Sequence, residues 1–453
     1  MWPPITPDRT CVANAGPVAL CAGGPGPGHS VSTMEAPALN VLTNIYVACF
    51  SDVHGWGGAL SFARGLADGL RHRGLSTTLL GVTRHQEEPA SPEPSADRLN
   101  VRVPPSPLLW RIQSWRVTVQ LRERLRQIPP PRHTFVALSP YWVVAAKRAW
   151  PTVPVLFKVP CLLTNCLPFT WGNGRPPSLW QRVNYEGIRR IERRALSLAD
   201  IVVTPTEEAR AELLTFQPAA GRRVVVCPYG VEPRTAPPEV RAAKRRDLGL
   251  ADDAFAFLLA GVCDRNKAFD WAVRELASVD GRGHLLIVGK GPEWDALAPL
   301  CERPGVTDRV HLVGPQDDMT AWYAAADCVL STSHYDMFPN TIQEGMAYGR
   351  PVVVPEHTPP TVYAGIADLV DEHGAGLLYD RRQPGALSQA MNRLIHDRTL
   401  SRELGARGHQ VAEARAGWEP FADLIGGSAE PRVSIPDSTA INPATEAEVL
   451  HVH

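Results

Sequence analysis

STSHYDMFPNTIQEGMAYGRPVVVP, residues 331–355, sets two carboxylates, Asp336 and Glu344, eight positions apart around a turn that runs into a helix. Pro339 has no N–H to give a preceding strand and so sets the turn, and Asn340 or Thr341 can cap the helix that follows. Residues 341–348 suit a helix, Gly349 stands where helices end, and Pro351 forbids continuation. Residues 351–355 then read as a short β-branched strand. The free amides of such a helix start attract anions, phosphate above all. Glu344 lies about one turn inside that start, so it can reach a ligand seated there while Asp336 approaches from the loop.

Outward from this segment, short apolar runs alternate with amphipathic stretches, which predicts parallel sheets wound with helices. In the first half the strands fall at 44–50, 77–82, 134–138, 153–159, 201–204 and 224–231. A glycine-bearing loop follows the first of them, and a helix over 60–73 ends at Gly74. A Pro-rich joint, EPRTAPPEV, occupies 232–240. The second half carries its own series at 255–262, 284–292, 310–314, 328–333, 351–355 and 376–380. The expected fold class is α/β, with two doubly wound domains (41–232 and 233–427) facing a cleft and ligands at the carboxyl ends of their strands. Residues 1–40 and 428–453 have the aperiodic, polar or Gly/Pro-rich composition of disordered segments. The first of these lacks the basic start and unbroken apolar core of a signal peptide, and Met34 is a candidate start.

A content of 44% hydrophobic and 21% charged residues is that of a soluble globular protein. No run approaches the ~18 apolar residues that cross a bilayer. Net charge is −1, but Lys and Arg exceed Asp and Glu by roughly 11 over 41–230 and fall short by roughly 11 over 231–453. The basic half is expected to meet something anionic. Nine scattered cysteines without a CxxC pair or a His cluster fit a reduced, cytoplasmic protein with no metal site. LLWRIQSWRVTVQLRERLRQI, residues 108–128, is basic and apolar near helical spacing. It either lies on an anionic membrane surface or packs on the sheet with its arginines solvated.

Residues 331–355 resemble the nucleotide-sugar site of retaining glycosyltransferases of the large family four, which have the two-domain GT-B fold. The family pattern, EGFPNxxxEAMAxGxPVV, is kept here in FPN (Phe338, Pro339, Asn340), Glu344, Met346, Ala347, Gly349 and PVV. Asp336 replaces its first Glu, and Met337 the Gly after it. GWGGALSFARGLADGLRHRG, ERRALSLADIVVTPT, CPYGVE with Tyr229 for Asn, LLIVGKGPEWDAL, DRVHLVG and WYAAADCVLSTS extend the resemblance over roughly 43–425. The segment 418–425 resembles the last helix, which in this fold crosses back onto the first domain. The resemblance implies that Glu344 accepts hydrogen bonds from ribose hydroxyls and that Asp336 sits near the donor sugar. Lys267, in GVCDRNKAFD, matches the lysine of GRLxxxKG that holds the diphosphate; the arginine position is Val262, and Arg265 is the nearest substitute. Gly57 and Gly58, with the helix start at Asn340 and Thr341, complete the expected donor-binding set. Where the family often has a histidine, this chain has Pro160, with Lys158 two residues earlier, and neither His54 nor His133 replaces it by spacing.

The implied activity is metal-independent transfer of a sugar, with retention, from a nucleotide-sugar substrate to a glycan, lipid-linked or small-molecule hydroxyl, as in polysaccharide biosynthesis. No cofactor and no nucleic acid enter, and location is cytoplasmic or peripheral at the membrane's inner face. Two alternatives stay open. One is a non-catalytic sugar-nucleotide binder, which the departures at Val262, Pro160 and Asp336 favour; the other is a sugar-nucleotide epimerase of the same fold. A phosphorylase would need a pyridoxal-binding lysine context that is not seen.

Overall fold

The computed structural model describes residues 45–49, 58–83, 98–102, 110–171 and 178–426. Gly57, His54, Met34 and both terminal segments lie outside them. The first sheet comprises β1 (Ile45–Ala48), β2 (Thr77–Thr83), β3 (Arg98–Arg102), β4 (Thr134–Ala137), β5 (Val155–Lys158), β6 (Ile201–Thr204) and β7 (Val224–Val226). Every pairing is parallel, in the order β3-β2-β1-β4-β5-β6-β7. The second sheet is built from β8 (Phe255–Ala260), β9 (Gly283–Val288), β10 (Val310–Gly314), β11 (Cys328–Leu330), β13 (Val352–Pro355) and β15 (Gly376–Tyr379). Its order, β10-β9-β8-β11-β13-β15, repeats the plan of the first. Two short strands, β12 (Tyr335–Asp336) and β14 (Tyr363–Ala364), pair only with each other.

The apolar runs read from sequence are these strands, and burial explains why they are continuous rather than alternating. Helices cover both faces, so β1, β4, β8 and β13 are buried at every position. β3 was not expected, because RLNVR at a sheet edge carries no apolar run. The helix Trp110–Leu125 packs on Pro140–Ala149 and Leu179–Leu198. It buries Thr118, Leu121 and Leu125 and leaves Arg116, Arg124 and Arg126 exposed, which is the packed alternative for that segment. Among the described residues no helix is long and apolar enough to cross a membrane.

The chain's last described helix, Glu419–Gly426, returns to the first half. Trp418 lies on Gly65 and Gly69 of the helix Gly58–His72, where an added Cβ would come within 2.6 and 2.4 Å of its ring. Phe421, fully buried, meets Phe62 of the same helix edge-on at 5.8 Å. Two glycines one turn apart therefore make the groove into which the crossing segment locks.

Candidate active site

Both sheets reverse strand order beside their first strand, and in such sheets the crevice opens at the carboxyl ends on either side of the reversal. In the second sheet those ends are the loop after β8, which carries Lys267, and the loop after β11, which carries Asp336. Lys267 Nζ lies 2.5 Å from Asp336 Oδ2. Burial works against the lysine's charge, but Asp336, by charge and by hydrogen bond, with Asp264 behind it, outweighs burial and raises the pKa above its ordinary value. Within the first loop Asp264 Oδ1 accepts from Lys267 N at 2.8 Å, and across to the second the Thr332 hydroxyl donates to Lys267 O at 2.6 Å. The buried Asn266 side chain donates to Tyr335 O at 2.9 Å and accepts from Tyr335 N at 3.0 Å, as a paired strand would.

The helix after Asp336 spans Asn340–Ala347, with Pro339 at its N-cap position. Neither Asn340 nor Thr341 caps it, contrary to expectation. Proline presents no side-chain acceptor, and Asn340 Nδ2 instead donates to Gly58 O at 2.9 Å, bringing the first helix of the chain onto this one. Among the described residues the backbone N–H groups of Asn340 and Thr341 meet no acceptor. Gly345 lets this helix lie against Val329 of β11, and Gly349 ends it at φ +65°. Phe338 is buried, edge-on to Tyr229 at 5.5 Å and beneath the Arg415 guanidinium at 5.4 Å, so its ring packs the junction of the two halves.

Glu344 projects from the second turn of the same helix and accepts a short hydrogen bond from the Tyr323 hydroxyl. Tyr323 in turn stacks on Tyr348 at 5.2 Å. Burial raises the Glu344 pKa against the opposing pull of Tyr323 and Arg234. Arg265 does not reach the crevice as a free cation: its Nε lies 2.9 Å from Glu293 Oε1. His133 is exposed on the far loop.

From the first sheet, Lys158 ends β5 and lies buried between Phe62 and Tyr229. Beyond Pro160 the helix Leu163–Trp171 covers the cleft, with Phe169 stacked on His334 at 5.1 Å. Its start is held by the buried Glu192. That carboxylate accepts from Leu163 N at 2.6 Å, from Thr164 N at 3.2 Å and from the Thr164 hydroxyl. Burial, opposed by these three bonds, pushes its pKa from 4.5 up to about 7. A carboxyl with a raised folded-state pKa binds its proton more tightly folded than unfolded, so its contribution to stability is lost as pH rises from about 4.5 to about 7. Burial raises the pKa of neighbouring Glu212 too and adds to the same slope. Urea midpoints measured from pH 5 to 8 should therefore fall with rising pH, and Glu192→Gln, which has no proton to lose, should flatten the curve. An unchanged slope in the variant would mean that Glu192 does not titrate in this window.

Tyr323, Asn266 and Tyr335 were not singled out in the sequence. Tyr323 and Asn266 sit in helix and loop stretches of ordinary composition, and only tertiary contact reveals them.

Residues 57–230 match the family model described as Glycosyl transferase 4-like domain, and residues 254–397 match that described as Glycosyl transferases group 1. A D-inositol 3-phosphate glycosyltransferase of Xylanimonas cellulosilytica is 30% identical over 246 residues, covering 51% of this chain and 57% of that protein. A 2-deoxystreptamine glucosyltransferase of Streptomyces kanamyceticus is 29% identical over 261 residues, covering 56% and 63%. The matches thus span little more than half the length of such curated relatives. Among solved structures, sucrose-phosphate synthase from Thermosynechococcus elongatus superposes with a TM-score of 0.69 at 20% identity, over 85% of this chain and 98% of that one. Anabaena HepE in complex with UDP-glucose gives 0.63 at 18%, over 85% and 98%. These likenesses establish the two facing α/β domains of the GT-B fold.

Proposed function

We propose that this chain, which belongs to the GT-B glycosyltransferases, moves a sugar from a nucleotide-sugar donor to a hydroxyl acceptor with retention of configuration and without a metal. One observation carries the reading: the free amides of Asn340 and Thr341, the Lys267 ammonium and the Glu344 carboxylate converge at the reversal of the second sheet. A departing nucleoside diphosphate gains negative charge, and fixed amides plus a partly buried cation stabilise it. Glu344 keeps an oxygen for the vicinal ribose hydroxyls. Asp336 faces the donor sugar once the diphosphate draws Lys267 away. The leaving oxygen takes the acceptor's proton on the same face, so the protein mainly positions and stabilises. Gly58 holds the first helix onto the donor helix through Asn340. Arg265, paired with Glu293, contributes only by exchanging partners, and Phe338 and Pro339 act by shaping the turn.

The relative named as an inositol 3-phosphate glycosyltransferase and the neighbour solved with UDP-glucose make a UDP-sugar and a phosphorylated polyol the first compounds to try. Peripheral contact with an anionic membrane through Arg116, Arg124 and Arg126 belongs to the same reading, and vesicle flotation indifferent to lipid charge would remove it. The central test is a thermal-shift screen of nucleotides and nucleotide sugars, followed by assay of diphosphate release with an acceptor panel. A ligand at ~100 times its Kd stabilises by about 2.7 kcal/mol, a readily measured shift that Glu344→Ala should abolish. Binding without release across the panel would instead support a sugar-nucleotide binder, and conversion of the donor without acceptor an epimerase.

A further inference from the structure

Lys158 is only 6% exposed, yet among the described residues its ammonium makes no hydrogen bond and no ion pair. Its Nζ lies 4.4 Å from the centre of the Phe62 ring and 5.0 Å from that of Tyr229. Two aromatic faces attract a cation but accept none of its three N–H bonds, and their attraction falls well short of what desolvating an ammonium costs. Burial accordingly pulls its pKa down to about 8, with Cys161 and Asp336 opposing. Asp336, the carboxylate whose charge reaches it, is already held by Lys267.

A second unsatisfied group stands beside it. The Tyr229 hydroxyl is buried and has no hydrogen-bond partner among the described residues. Its ring is fixed edge-on to Phe62 at 4.7 Å and to Phe338 at 5.5 Å, and stacked on Trp418 at 6.2 Å, so the hydroxyl cannot swing out to find one. A native fold rarely leaves a buried hydroxyl unmatched, here beside an ammonium with no protein acceptor, unless something else supplies the acceptor. The two come from the first-sheet side of the cleft, facing the loop of Asp336.

We infer that Lys158 and Tyr229 form an oxyanion subsite that receives a phosphate or carboxylate carried by a substrate. This rests on the donor-site reading above, and goes beyond it by naming the charge of what lies opposite the nucleotide. The oxyanion accepts from the ammonium and from the tyrosine hydroxyl, while the rings of Phe62 and Tyr229 keep water away and strengthen both bonds. A cationic or neutral acceptor finds a repelling or unmatched ammonium there, so the subsite excludes as well as selects.

The test uses the full chain saturated with UDP and calorimetric titration of two matched pairs. In the acceptor arm, D-inositol 3-phosphate is compared with inositol; in the donor arm, without UDP, UDP-glucuronate is compared with UDP-glucose. The charged member of one pair should bind roughly 10- to 100-fold more tightly, the range for a hydrogen bond to a charged group. The arm that shows the preference identifies which substrate carries the oxyanion. Lys158→Met keeps the stem against Phe62 and should erase the preference, while Lys158→Arg should restore part of it and Tyr229→Phe should reduce it. Lys158→Met should also raise the melting temperature, since it removes an unpaired buried charge, so misfolding is not a rival explanation. Equal affinity within both pairs, or a preference that survives Lys158→Met, overturns the inference. UDP is first titrated into the wild type alone, and a failure to bind would strike the donor-site reading, with the charged pairs then compared in the free protein.

Discussion

Lys267→Met should lower sugar transfer by roughly 10²- to 10³-fold, the loss seen when one preorganised group facing developing charge is removed. Methionine keeps the stem and its volume, so the change isolates the ammonium. In the free protein that ammonium is spent on Asp336 at 2.5 Å, with both side chains about a quarter exposed. Such a partly solvated pair adds on the order of 1 kcal/mol or less to stability, so the variant should unfold almost as the wild type does. The effect belongs instead to the reaction. Charge on the diphosphate is larger as it leaves than when the donor binds, so kcat should fall further than donor affinity. Asp336→Asn supplies the contrast, because it frees Lys267 for the diphosphate and should weaken sugar placement while leaving nucleotide binding intact. Steady-state kinetics beside UDP titration decide the matter: a Lys267→Met protein with unchanged kcat would remove Lys267 from the chemistry.

Much of this arrangement was legible before the structure, for a physical reason. Parallel strands buried on both faces must be continuous apolar runs, and a helix ended by Gly349 and Pro351 advertises its own boundaries. What the sequence could not show are the places where a side chain is claimed from far away. Asn340 has the right chemistry for a cap, but its amide is taken by a carbonyl 282 residues distant in the chain, and Pro339, extended at φ −66° and ψ 120°, occupies the cap position. Arg265 stands close enough in sequence to replace the missing arginine at Val262, yet Glu293 holds it. β3 and β12 were missed for opposite reasons. The first is a charged edge strand without an apolar run, and the second is two residues long and exists only because β14 and Asn266 pair with it. Lys158 was visible two residues before the departure at Pro160, but its aromatic surroundings come from residues 62 and 229, which only the fold brings together.

Tyr335→Ala should cost about 3–5 kcal/mol of stability, the range for emptying a buried aromatic site, and should cost activity beyond that. Tyr335 is 2% exposed and packs with Met337 in the core of the first sheet, although both belong to the loop of the second. Side chains alternate along an extended strand, so burying 335 and 337 on one side turns Asp336 toward Lys267 on the other. The Tyr335 hydroxyl accepts from Leu162 N at 2.9 Å and also hydrogen-bonds the buried carboxyl of Glu212. One ring therefore sets the orientation of Asp336, the proposed catalytic acid, and ties it to the helix Leu163–Trp171. Tyr335→Phe keeps the ring and removes only the hydroxyl, stranding Leu162 N and leaving Glu212 with Asn165, and should cost about 1–3 kcal/mol. Its Asp336 should remain in register, so transfer per folded molecule should stay near the wild-type value, whereas Tyr335→Ala should lose it. Urea midpoints and kcat measured on the same preparations separate the two effects. Equal kcat in the two variants would show that the buried ring holds the halves together without placing the carboxylate, and the alternation along β12 would then be packing alone.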